Sequence, residues 1–184
     1  MTLGPNEAQT VKIQLVRSGT LEPGEYRSHL YFRAVPESKP LGEEEDTVPD
    51  PTSISVKLIP IFGITIPVII RVGQPTVSVT LSDMALTFVN DTVPRVRVTF
   101  NRSGNFSVYG DLIVDHVSDQ GKRTRVGVAN GFAVYTPNAR RDFELNLAVL
   151  PDIDYSSGRL IMIYSAPSDV KPEKYAEAEL LLNR

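Results

Sequence analysis

A chain of 184 residues holds one large or two small domains, and an apolar fraction of 41% is enough for a packed core. The net charge of −3 gives no general affinity for nucleic acid, and the lack of cysteine excludes disulfides and thiolate metal sites. No stretch has the uninterrupted apolar length of a membrane helix, so no membrane insertion is expected.

Residues 1–10 are polar, with a turn signal at Gly4-Pro5-Asn6 and no basic or apolar run of a signal peptide. That leaves a cytoplasmic chain or a mature or trimmed piece. Val11, Ile13 and Leu15 alternate with Lys12 and Gln14, which predicts a half-buried strand. Ser18-Gly19 and Glu22-Pro23-Gly24-Glu25 are turn material. Tyr26, Ser28, Leu30, Phe32 and Ala34 then occupy one parity of a second strand, with Arg27, His29, Tyr31 and Arg33 on the other. Residues 35–53 are rich in proline and acid and read as a mobile loop. Its Glu43, Glu44, Glu45 and Asp46 read as a solvated tip rather than a cation site.

The stretch 53–73 organises the chain. Its even positions are apolar: Ile54, Val56, Leu58, Pro60, Phe62, Ile64, Ile66, Val68, Ile70 and Val72. A two-residue period sends all of them to one side of a strand. Fully extended, the run would span roughly 60 to 70 Å, far beyond a usual strand. Pro60 and Pro67 remove donors at positions of opposite parity. The expectation is a strand in two or three segments, bent at Gly63 and lying at a sheet edge. A long apolar edge templates pairing with another chain. It is either covered by the fold or used to hold a partner strand, and an edge-strand homodimer is one outcome.

Gly73-Gln74-Pro75 reads as a hinge between domains spanning 1–73 and 74–184. After it come short strands, predicted over 76–81, 85–90, 95–101, 107–116, 123–128, 131–136, 142–150, 159–165 and 176–182. Turns are predicted at 102–105, 118–121 and 156–158. No long segment carries an apolar period of 3.6 residues with caps. The fold class is therefore all-β, and the spacing suits an immunoglobulin-like β-sandwich in the second domain. The first 73 residues supply too few strands to close two sheets, so that domain reads as incomplete.

Catalysis, metals and cofactors are not expected. His29 and His116 fall in different domains and read as surface or cross-strand residues. Asp152, Asp154 and Ser156 share the oxygen spacing of a calcium loop. Ser157 and Ile163, however, stand where such a loop needs glycine and glutamate. Arg123, Arg125, Arg140 and Arg141 form at most a small basic patch, diluted by Asp142 and Glu144.

The order QTVKIQLVRSGTLEPGEYRSHLYFRAVPE, then a polar loop, then SISVKLIPIFGITIPVIIRVG, resembles the later half of the N-terminal domain of PapD-like periplasmic pilus chaperones. The match covers about residues 1–75, and the remainder agrees in architecture. The resemblance implies a two-domain periplasmic chaperone, shortened at its N-terminus, that binds pilin or another secreted subunit by donor-strand complementation. It implies that Ile54, Val56, Leu58 and Phe62 fill the groove of the bound subunit. The sequence departs from the family at Pro67, where the family has a lysine that helps anchor the partner's C-terminal carboxylate. The alternative is a structural or adhesive β-sandwich module without chaperone action, in which the apolar strand is buried.

Overall fold

In a computed structural model the chain is described at residues 3–4, 6–16, 18–35, 60–167 and 173–182. Apart from one 3-10 turn at Ser18–Thr20, the regular structure there is all β. The strands are β1 (Gly24–Arg33), β2 (Gly63–Val72), β3 (Ser78–Val89), β4 (Val93–Ser103), β5 (Val108–Val117), β6 (Arg123–Val134), β7 (Arg140–Asn146), β8 (Arg159–Ser165) and β9 (Lys174–Leu181). The chain divides into two units. One is Tyr26–Ile70, and the other joins Met1–Glu25 to Arg71–Arg184.

In the larger unit seven strands make two antiparallel sheets, ordered β3-β4-β7 and β6-β5-β8-β9. Alternation explains why they stack. Val96, Val98 and Phe100 of β4 face inward and are fully buried. Opposite them lie Leu112 and Val114 of β5 with Leu160, Met162 and Tyr164 of β8. The Phe100 ring meets Phe132 at 4.3 Å and Tyr164 edge-on at 5.1 Å between centroids. The Tyr164 hydroxyl donates to the Phe132 carbonyl at 2.9 Å, so the polar tip of a buried ring is satisfied.

Several predicted breaks are absent. The strands expected at 76–81 and 85–90 are one strand, β3, which passes its break through a bulge between Ser82 and Ala85 with Asp83 at φ 51°. The pair expected at 123–128 and 131–136 is likewise one strand, β6, whose register against β5 shifts twice. The strand expected to run to 150 leaves its sheet after Asn146. The Leu147 amide bonds Pro94 O in one sheet, and the Ala148 amide bonds Val126 O in the other. The chain therefore changes sheets within two residues.

The turns play different parts. Residues 118–121 close the β5–β6 hairpin, with the Gly121 amide on Ser118 O at 2.8 Å. Residues 102–105 instead carry the chain from one sheet to the other. Gly104 sits there at φ 94°, and a Cβ would fall 1.7 Å from Thr76 O. Arg102 braces this turn from within, donating to the carbonyls of Asn138, Gly104 and Phe106. No strand forms at residues 11–15. Val11, Ile13 and Leu15 are exposed there, so an alternating pattern without a pairing edge does not make a strand.

Candidate functional site

The smaller unit is built on the pairing of β1 with β2, a two-stranded sheet. The Ala34 amide donates to Phe62 O at 2.8 Å, which joins the end of β1 to the start of β2 and makes the pair antiparallel. A Cβ on Gly63 would lie 2.6 Å from the Tyr31 hydroxyl, so odd positions of both strands share one face. Even positions therefore share the other: Tyr26, Ser28, Leu30 and Phe32 with Ile64, Ile66, Val68 and Ile70. That face is apolar apart from Ser28. The odd face carries Arg27, His29, Tyr31 and Arg33 with Thr65, Pro67 and Ile69.

Among the described residues of this unit the apolar side chains remain in contact with solvent. Phe62 is 74% exposed, Ile64 67% and Ile66 48%, and Phe32 is also exposed. A two-stranded ribbon is at best marginally stable alone, and this one leaves large side chains wet. Of the sequence-predicted donor residues, the structure places Phe62 at the entrance to β2. Ile54, Val56 and Leu58 lie outside the described residues, as does the acidic run 43–46. Ile64 and Ile66 continue the Phe62 row, and sequence reading left them out of the donor set. The unbroken even-position period was the signal that could have added them. Gly63 is the first residue of β2, and residues 53–59 of the predicted stretch lie outside the described residues.

In the larger unit, Glu25 and Arg71 close a polar cluster. The Glu25 carboxylate has no accessible surface and takes the Arg71 Nε–H at 3.0 Å. It also accepts the Ser107 hydroxyl, whose oxygen receives the Thr136 amide at 2.9 Å. The Arg71 guanidinium stands 5.8 Å from the centre of the Phe106 ring. Asn105 ties in the neighbouring chain. Its Oδ1 accepts the Thr76 amide at 2.9 Å, its Nδ2 donates to Gln74 O at 3.0 Å, and its carbonyl takes the Glu25 amide at 3.1 Å. A buried carboxylate met by a guanidinium and a hydroxyl holds these segments together.

The remaining candidates separate. His29 is exposed on β1. His116, expected at a surface or across a strand pair, is buried instead, with Nε2 3.1 Å from both Asp154 O and Ser157 O. It fixes the turn before β8. Asp154 spends Oδ1 on the Ser156 hydroxyl and amide at 2.7 and 2.8 Å. Those bonds hold its carboxyl below the usual range. Among the described residues no group of His, Asp or Glu gathers as a metal site. The four arginines do not form one patch. Arg123 and Arg125 converge on the buried Asp115 at 2.8 and 3.1 Å. Arg140 pairs with Asp142, and Arg141 donates to Ala133 O and lies over the Phe132 ring at 4.2 Å. Among the described residues no helix is long and apolar enough to cross a membrane.

No family model matches the chain, and no curated protein matches it. Among solved structures, the chain is similar to DesR, a beta-glucosidase from Streptomyces venezuelae in complex with D-glucose, at 14% identity and a TM-score of 0.37. That likeness covers 60% of this chain and 15% of the glucosidase.

Proposed function

We propose that this chain binds a partner with an incomplete β-sandwich by lending it the strand that passes through Phe62, Ile64 and Ile66. The observation that carries the reading is the exposed apolar row on β2, in a sheet of two strands among the described residues. In β-strand addition, main-chain hydrogen bonds supply affinity, and alternate side chains enter the partner's pockets. A row of Phe and Ile at every second position provides the side chains for that. The chaperone resemblance supplies the partner class, a pilin or another secreted subunit, and the periplasm as compartment. The strand order of the larger unit supports an immunoglobulin-like second domain, because β7 returns beside β4 and β8 beside β5. No catalytic role is proposed.

The test is titration of a pilin-type subunit lacking its own final strand. Phe62→Asp places a charge where the partner's groove takes an apolar ring. It is expected to weaken binding about 10- to 150-fold, since burying one such side chain is worth about 1.5 to 3 kcal/mol. Leu58→Glu is expected to act alike. The melting of the seven-stranded unit should stay unchanged in both. Undiminished binding by both variants would end the lent-strand reading and leave a structural or adhesive module.

A further inference from the structure

In an antiparallel ladder both polar groups of a residue point to the same side, and those of the next residue point to the other. The Ala34–Phe62 bond sets that phase for β2. Positions 62, 64, 66, 68 and 70 direct their amides and carbonyls at β1. Gly63, Thr65, Pro67, Ile69 and Arg71 direct theirs outward. The Tyr31–Gly63 approach agrees with this phase, and the Glu25–Arg71 pair falls in the same register at the other end. No strand among the described residues pairs with the outer edge of β2. Pro67 is the middle one of its five outward positions, is exposed, and has no N–H to give.

From this placement we infer that Pro67 is an edge guard, which keeps β2 from pairing with the β2 of a second copy. The hazard is real, because this edge is long and both its neighbours in sequence and its own strand are apolar. In an antiparallel pairing centred on the edge, Pro67 of one copy faces Pro67 of the other, and both central donors are missing. Sliding by one pairing step sets each Pro67 against Thr65 or Ile69, and two donors per dimer are still lost. A foreign strand that ends opposite Thr65 loses none. Proline at this phase thus selects against self-pairing without touching the half of the strand that carries Phe62, Ile64 and Ile66. Only this last consequence rests on the proposed function.

The experiment is sedimentation of the full chain across a concentration series, with Pro67→Val and Pro67→Ala compared to wild type. Two regained hydrogen bonds are expected to tighten self-association about tenfold or more. Amide exchange at Thr65, Ile69 and the new amide at position 67 should slow as the variant associates. Adding Thr65→Pro to Pro67→Val restores a gap one pairing step away and should return the wild-type behaviour. The guard is refuted if both single variants associate no more tightly than wild type. It is equally refuted if they associate without slowing those amides, or if the added proline changes nothing. None of these outcomes depends on a client, so failure here is distinct from failure of the lent-strand reading.

Discussion

Tyr155 carries a pH dependence that follows from burial. Its ring packs in the core, its hydroxyl donates to Ala148 O at 2.7 Å, and burial pushes its pKa up to about 12 from the usual 10.0. The unfolded chain loses this proton near pH 10, while the folded chain keeps it until about pH 12. Stability from this group is therefore whole below pH 10 and is lost as pH rises toward 12. The loss is about 2 kcal/mol. Denaturation in urea across that window should show the decline, and Tyr155→Phe should remove this part of it. His116 shows why single residues resist reading from sequence. Its partners are the carbonyls of Asp154 and Ser157, about forty positions along the chain, and no local pattern around His116 announces them.

At the scale of strands and turns, glycines with similar backbone angles carry unequal weight. Gly121 has φ 82° at the tip of a hairpin, with open space where a Cβ would stand. Gly121→Ala is expected to cost about 1 to 2 kcal/mol, the left-handed conformation alone. Gly104 has φ 94° and the Thr76 carbonyl directly in the way. Gly104→Ala is expected to cost more than Gly121→Ala by at least about 2 kcal/mol, because backbone must move. Chemical denaturation of the two variants side by side checks the difference. Strands with clean alternation were legible: Val96, Val98 and Phe100 announce β4. The breaks were not. Asp83 lies in a segment whose polar residues look like a turn, yet it bulges within a continuing strand. Residues 11–15 erred in the other direction, since alternation states what a strand needs and not whether a neighbour exists to pair with it.

For the whole molecule, turns and alternation are local signals: they announce an all-β chain with nine strands after residue 73, of which the structure joins two pairs to leave seven. The assignment of strands to two sheets depends on the crossings at 104 and 147–148. Those are set by which carbonyl each amide finds, and composition does not encode that. The candidate site was legible in its chemistry, through the even-position apolar row of 53–73. Its phase was not, because one backbone bond, Ala34 to Phe62, decides which edge Pro67 interrupts. Ile54, Val56 and Leu58 fall outside the described residues, so the site stands on Phe62 and the isoleucines that follow it.

Asn105 bears on how the protein should be produced. Asn105-Phe106-Ser107 is an acceptor triplet for N-linked sugar. The atom that a glycan would occupy, Nδ2, is the one that holds Gln74. Protein secreted by yeast or mammalian cells and modified there should melt earlier than the same chain from bacteria. Equal melting temperatures for the two preparations, with occupancy confirmed by peptide mass, would show that the fold does not need this grip.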